Sequence, residues 1–320
     1  MAAAGAPVDV SVVLPVYNEA ENLTELLGEL ARVMDGLGRA YEIIAVDDGS
    51  TDRSHGVLLE LRERVPGLRI VRLRRNFGQT AALSAGFDHA RGNVIVSLDA
   101  DLQNDPADIP MLLDVLDDDN VDLVAGWRWA RRDPLLARRL PSWMANWLIS
   151  RVTHVKLHDY GCTLRVCRAD LARQLRLYGE LHRFIPALAA DVGAKVTERR
   201  VHHRPRVHGV SKYGLSRSIR VLLDLLTVKF LSGYSTRPIH VFGLLGLGLT
   251  LVGGVWLSYL GFERMVLGRP LANRPVVLLT ILLVVIGVQF VSIGLLGEML
   301  ARTYHESQDK PIYRVRDLIQ

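Results

Sequence analysis

The residues with most chemistry to offer lie in segment 93–106, NVIVSLDADLQNDP, where a β-branched apolar run ends in two aspartates one residue apart, Asp99 and Asp101. Strand geometry carried through that run puts both carboxylates on one face, with Gln103 next in register. Two hard oxygen donors on one face suit a Mg²⁺ or Mn²⁺ that keeps several waters and takes its other ligands from substrate phosphates. A solvated acidic turn has the same local composition, so the surrounding chain must decide between the two. Pro106 stands where a helix would begin.

The elements that position this stretch alternate. Residues 8–14 read as an apolar strand, followed by a helix from about 19 to 37 with Asn18 as its N-cap and Leu23, Leu26, Leu27, Leu30, Val33, Met34 and Leu37 at helical spacing. Strands at 41–46, 68–73, 94–98 and 121–125, with helices at 51–64 and 79–90, continue the rhythm and predict an α/β fold, a parallel sheet with helices on both faces. In such a sheet the ligand crevice lies beyond the carboxyl ends of the strands. Tyr17-Asn18-Glu19, Asp47-Asp48, Arg75-Asn76 and the Asp99–Asp101 pair each stand at such an end. The first strand–helix turn, Pro15 to Glu19, contains no glycine, which argues against a dinucleotide reader.

Of the 320 residues 49% are hydrophobic and the mean hydropathy is positive, which places part of the chain in a bilayer. Runs 238–262 and 275–297 carry no formally charged residue, and each would extend roughly 35 Å as a helix. In the first run Gly246, Thr250, Gly254 and Ser258 recur every fourth residue, a stripe suited to helix packing. Segment 1–7 has neither a basic region nor an apolar core, so no cleaved signal peptide is expected. Arg217, Arg220, Lys229 and Arg237 before the first span, and Arg302, Lys310, Arg314 and Arg316 after the second, predict that both termini are cytoplasmic. Arg264, Arg269 and Arg274 in the connecting loop weigh the other way.

The net charge is only +5, yet segment 199–240 holds nine Arg or Lys residues against the single acid Asp224. Beside a span, and without a base-stacking aromatic pattern, such a run points to anionic lipid headgroups or a lipid phosphate rather than nucleic acid. Arg217, Arg220, Asp224 and Thr227 form a polar stripe on an otherwise apolar segment 215–231, as in a helix lying on a membrane surface. The expected organisation is a cytoplasmic catalytic domain at 1–214, an interfacial segment at 215–236, two transmembrane helices within 237–300 and a cytoplasmic tail at 301–320. Cys162 and Cys167, the only cysteines, fit a reducing cytosol.

The segments Pro15-Val16-Tyr17-Asn18-Glu19, Asp47-Asp48-Gly49-Ser50, Arg75-Asn76-Phe77-Gly78-Gln79 and Asp99-Ala100-Asp101-Leu102-Gln103 resemble the successive motifs of glycosyltransferase family 2. Asp159-Tyr160-Gly161-Cys162-x-Leu164-Arg165, Phe184-Ile185-Pro186, His202-His203, Gly209-x-Ser211-Lys212-Tyr213 and Gly294-Leu295-Leu296-Gly297-Glu298 extend the likeness to its polyprenyl-phosphate branch. That branch includes dolichol-phosphate mannose synthases, glucosyltransferases of phage and bacteria, and the aminoarabinose transferase of lipid A modification. The resemblance covers almost the whole chain and implies the glycosyltransferase A (Rossmann-like) fold.

It also implies a UDP-sugar donor. Pro15, Tyr17, Glu19 and Asp47 would surround uracil and ribose, with Asp48, Arg75 and Asp99 on the nucleotide side. Asp99, Asp101 and Gln103 would hold Mg²⁺ or Mn²⁺. Arg128, Arg131, Arg206 and Lys212 would take the acceptor phosphate, Arg by a bidentate grip and Lys as a point charge. Asp159 would organise the site. The implied reaction is attack of a polyprenyl (undecaprenyl or decaprenyl) phosphate oxygen on the anomeric carbon, with inversion, Asp99, Asp101 and Arg128 being the catalytic residues. A phosphate monoester is largely dianionic at neutral pH, so no strong base is needed. The product would be a lipid-linked sugar for cell-envelope glycosylation, made at the plasma membrane by a homo-oligomer, a tetramer being one form. A processive polysaccharide synthase shares the early motifs but usually carries a Gln-x-x-Arg-Trp segment and more spans, neither found here. A non-catalytic scaffold would be expected to lose the acidic pair. The sugar itself is not legible.

Overall fold

The computed structural model describes residues 7–129, 150, 155–177, 179, 181–205, 238–271, 274–307 and 312–319. The expected interfacial helix at 215–231, and Arg131, Arg206 and Lys212, lie outside the described residues. The chain divides into two units, Met1–Val228 with Pro311–Gln320, and Lys229–Lys310.

The first unit is built on an eight-stranded sheet: β1 Val10–Val16, β2 Tyr41–Asp47, β3 Leu68–Leu73, β4 Val94–Ser97, β5 Leu123–Arg128, β6 Arg165–Arg168, β7 Val196–Val201 and β8 Val315–Ile319. Their order across the sheet is β7-β5-β6-β4-β1-β2-β3-β8. The half β4-β1-β2-β3 is parallel, as the alternating pattern predicts, but the sheet as a whole is mixed. Strand β6 runs antiparallel to both β4 and β5, and β8 antiparallel to β3. The wholly parallel sheet expected from the strand–helix rhythm is corrected accordingly: that rhythm stops after β5, and the three later strands reach the sheet through non-local pairings.

Both faces of the central strands are apolar because both are covered. Val10, Val12, Leu14, Ile43 and Ala45 face one layer with Leu23, Leu26, Leu27 and Leu30 of α1 (Leu23–Gly36), Leu58 of α2 (Ser54–Arg62) and Leu112 and Leu116 of α4 (Ile109–Asp118). The alternate residues Val13, Ile44 and Val46 face the other layer, with Ala82, Ala85 and Phe87 of α3 (Gln79–His89), Leu171 of α5 (Ala169–Gln174) and Ala187 of α6 (Ile185–Asp191). Pro106 opens a short 3₁₀ turn, Pro106–Asp108, where the Asp105 side chain accepts the Ala107 amide. Helix α1 begins at Leu23 rather than near Glu19, because Asn18 is used elsewhere.

The second unit contains helices α7 (Pro238–Val266) and α8 (Pro275–Ser307), both long and apolar enough to cross a membrane. They pack through small residues. A Cβ on Gly287 would meet Thr250 Oγ1 at 2.3 Å and Gly246 O at 2.6 Å, and one on Gly253 would meet Thr280 O at 2.9 Å. The packing stripe is therefore Gly246 and Thr250 against Gly287, and Gly253 against Thr280 and Val284. Gly254, counted in the four-residue spacing, has nothing within 4 Å of its Cβ position. A helix turning every 3.6 residues drifts off a strict period of four, which explains the exchange.

At the amino ends of the strands one buried charge network ties β1, β2 and β3 together. Glu42 accepts from Ser11 Oγ at 2.7 Å, from Arg69 Nη1 at 2.6 Å and from the Arg91 amide at 2.7 Å. Glu42 and Arg69 are 3% and 8% exposed, so truncating one strands the other's charge away from water. Glu42→Ala is expected to cost about 3–5 kcal/mol, seen as a lowered thermal unfolding midpoint of the full chain in detergent. An unchanged midpoint would contradict the network's role.

Candidate active site

The acidic pair sits where β4 ends. Leu98 and Asp99 follow the strand without a helix, and Leu102 adopts φ +59°, a left-handed conformation unfavourable for a residue with a Cβ. Backbone held in such a region is paid for by its surroundings and clusters at functional sites. Here the Asp101 carboxylate accepts the Gln103 amide at 3.2 Å, Gln103 O accepts the Arg204 amide at 2.9 Å, and Asn104 forms an antiparallel bridge with His203. Arg204 also pairs with Asp105 and Glu29, at 2.8 Å and 2.7 Å.

Asp99 is gripped from the neighbouring helix. Gln79, the first residue of α3, donates Nε2–H to Asp99 Oδ1 at 2.6 Å. Burial, then the adjacent charge of Asp101, push the Asp99 carboxyl well above the usual carboxylate range, while Thr163, Arg128 and Arg165 pull the other way. Two carboxylates crowded in this manner repel unless a cation lies between them. Among the described residues no group of three or more His, Cys, Asp or Glu side chains is arranged to hold a metal. The protein thus offers two carboxylate ligands and leaves the remaining positions to water and phosphate, the donor set preferred by Mg²⁺ or Mn²⁺. Those residues fit such an ion.

Facing the pair is Arg128, at the end of β5. Its Nε and Nη2 donate to the two oxygens of Asp159 at 2.7 Å and 3.0 Å, and Asp159 also accepts the Gly161 amide at 3.0 Å. Two guanidinium N–H groups are used in this fork and three remain. Despite burial, the negative charge of Asp159, with smaller contributions from Cys162 and Asp99, holds the Arg128 guanidinium above its ordinary value. Arg165 is wholly inside, donating to His182 O at 2.6 Å and to Tyr160 O at 3.1 Å. Burial pushes the Cys162 and Cys167 thiols up to about 11 and about 12, which leaves them unreactive.

The other strand-end clusters form a rim rather than separate sites. Asn18, at φ +58°, accepts the Thr51 and Asp52 amides on its side-chain oxygen, and the Ser50 and Ser54 hydroxyls accept the Asn18 and Glu19 amides. These bonds fasten the loop after β1, with Tyr17 and Glu19, to the loop after β2; Pro15 lies within β1 opposite Val46. Asp47 is fully buried, accepts the Ser50 amide at 2.8 Å and stands 3.3 Å from His55 and 3.6 Å from Arg72. Asp48 turns the opposite way, its two oxygens accepting the Phe77 and Gly78 amides at 2.7 Å and 2.9 Å. Gly49, at φ +67°, lies so close to the Arg75–Asn76 peptide that a Cβ would approach Arg75 C to 2.5 Å. Arg75 is exposed, its guanidinium 4.3 Å above the Phe77 ring.

Asp99, Asp101 and Arg128 are thus brought together, with Asp47, Asp48 and Arg75 on the adjoining rim. The structure adds Gln79 and Thr163 to the residues that the sequence points to. Gln79 closes the segment Arg75 to Gln79, and Thr163 fills the variable position of the segment Asp159 to Arg165, so their place in those segments was the available signal.

The mixed sheet covered by helices on both faces is a glycosyltransferase A-like α/β fold. The solved structure of glucosyl-3-phosphoglycerate synthase from Mycobacterium tuberculosis, in complex with Mn²⁺, UDP and phosphoglyceric acid, superposes with a TM-score of 0.56 at 20% identity, over 70% of this chain and 79% of that one. The glycosyl transferase family 2 model matches residues 11–176, and the chain belongs to that family. Among its relatives are dodecaprenyl-phosphate galacturonate synthase of Rhizobium johnstonii, 47% identical over 97% of this chain and 93% of that protein, and undecaprenyl-phosphate 4-deoxy-4-formamido-L-arabinose transferase of Edwardsiella ictaluri, 40% identical over 97% and 94%.

Asp48→Ala would leave two amides of the loop after β3 without their acceptor. A loss of about 2–3 kcal/mol is expected, measured as a lower unfolding midpoint of the full chain, with Asp48→Asn losing less; equal midpoints for all three proteins would contradict the latch.

Proposed function

We propose that this protein transfers one sugar from a UDP-sugar to a polyprenyl phosphate, with inversion, at the cytoplasmic face of a plasma membrane. The observation that carries the reading is the juxtaposition of Asp99, Asp101 and Arg128 at one end of the sheet. Support comes from relatives whose names specify dodecaprenyl- and undecaprenyl-phosphate products, and from a structure of the same fold that holds Mn²⁺ and UDP.

Asp99 and Asp101, with Gln103, would hold a divalent ion, which when bound neutralises charge on the departing diphosphate. Gln79 keeps the Asp99 carboxylate aimed, as outer partners of metal ligands do. Tyr17, Glu19 and Asp47 would form the base and ribose side, and the latch of Asp48 on Phe77 and Gly78 fixes that wall. Arg128, restrained by Asp159, has donors left for the acceptor phosphate, which must approach a pyrophosphate of like charge; Arg131, Arg206 and Lys212 would assist. With a dianionic nucleophile, positioning and electrostatics supply the rate rather than a base. The two apolar helices would anchor the enzyme where the lipid acceptor resides, both termini inside, and the basic segments flanking them agree with that orientation.

Membranes containing the protein, given radiolabelled UDP-sugars (UDP-galacturonate and UDP-4-deoxy-4-formamido-L-arabinose among them) and undecaprenyl or decaprenyl phosphate, are expected to yield one lipid-linked sugar by thin-layer chromatography. A polymer smear would favour a processive synthase, and no transfer with any donor would overturn the reading. Asp101→Asn should lower turnover about a hundredfold or more in saturating Mn²⁺. Gln79→Ala should raise the Mn²⁺ concentration for half-maximal rate about 10- to 100-fold. Wild-type rates in both variants would contradict the metal assignment.

A further inference from the structure

Away from the acidic pair, the outer edge of the sheet carries an open cleft lined by Arg74, Tyr313, Arg314 and Val315, both arginines being exposed. Its walls come from the end of β3 and the start of β8, and the pairing of those strands slips register between Arg72 and Leu73. Such a bulge re-aims the side chains beyond it. The Arg74 amide donates to Arg314 O at 3.0 Å, so backbone pairing holds two arginines side by side.

The other arginines of this edge are occupied. Arg72 stands 3.6 Å from Asp47 and 3.9 Å from Asp317, Arg316 stands 3.6 Å from Asp317, and Arg75 covers the Phe77 ring. Arg74 and Arg314 have no acidic partner among the described residues, and the charges that weigh most on Asp99 are those of Asp101, Arg128 and Arg165. Tyr313 is buried and its hydroxyl donates to Asp88 Oδ2 at 2.8 Å, so it forms a fixed wall whose donor is already used. Two like charges held adjacent on paired strands destabilise each other unless an anion bridges them. A guanidinium pair offers the forked donors that phosphate oxygens accept.

We propose that this cleft is a second anion site, separate from the acidic pair, which binds a phosphoryl group between Arg74 and Arg314. Either an anionic lipid headgroup or a soluble phosphate compound has this chemistry. The site adjoins the loop that ends at Gln79, through which an occupied cleft would steady the grip on Asp99.

Amide hydrogen exchange on the full-length protein in nanodiscs tests the site without relying on turnover. One arm uses neutral phosphatidylcholine discs titrated with pyrophosphate in EDTA; the other adds phosphatidylglycerol to the discs. Slowed exchange at 313–319 in the first arm identifies a soluble source, and in the second a lipid source. Arg74→Ala/Arg314→Ala should weaken the responding arm by about tenfold or more, with exchange in β1 and β2 unchanged as the check on folding. Arg74→Lys/Arg314→Lys, which keeps the charges and loses the forks, should give protection between that of the wild type and the double alanine variant. No slowing in either arm, or equal slowing in the double alanine variant, would overturn the proposal.

Discussion

The catalytic unit is organised by a repulsion. Asp99 and Asp101 are brought to the end of one strand, in surroundings where burial alone raises the Asp99 carboxyl and the neighbouring charge raises it further. Such an arrangement is costly for a folded chain. The structure meets that cost with a short bond from Gln79 and the fields of Arg128 and Arg165, and leaves the pair fit to accept a cation. Most of the remaining architecture around the rim serves to keep these groups where they are.

The means are loop-to-loop bonds between backbone and side chain. Asn18 and Leu102 are held with positive φ, Gly49 lies against a peptide where a methyl group has no room, and Asp48 ties the loop after β2 to the loop after β3. Each contact crosses between segments distant in the chain. The rim is therefore a single fastened surface, and displacement of one loop is felt by the next. Arg128 and Asp159 form a comparable fastening on the far side, joining β5 to the segment before β6.

Much of this was legible in the sequence where periodicity and local chemistry coincide. Strand β3 falls at residues 68–73 as the apolar run predicts, α3 begins at Gln79, and the acidic pair follows β4. What escaped depends on partners far along the chain. Strands β6, β7 and β8 lie outside the strand–helix rhythm, and pairing with strands distant in the chain holds them in the sheet. Asn18 has the composition of a helix cap, yet its oxygen is spent on Thr51 and Asp52, so α1 starts later. Asp47 and Asp48 look equivalent as neighbours, but one faces His55 and Arg72 while the other latches a loop. The small residues of α7 recur in the sequence at a period of four, whereas the contact with α8 follows the helix's own turn and selects Gly253 over Gly254.

The most direct test of the account is the position of a metal ion. Crystals of the full-length protein grown with UDP and Mn²⁺, measured at the manganese absorption edge, should show an anomalous peak between the Asp99 and Asp101 carboxylates and the diphosphate. A peak elsewhere, or carboxylates turned away from bound UDP, would contradict it.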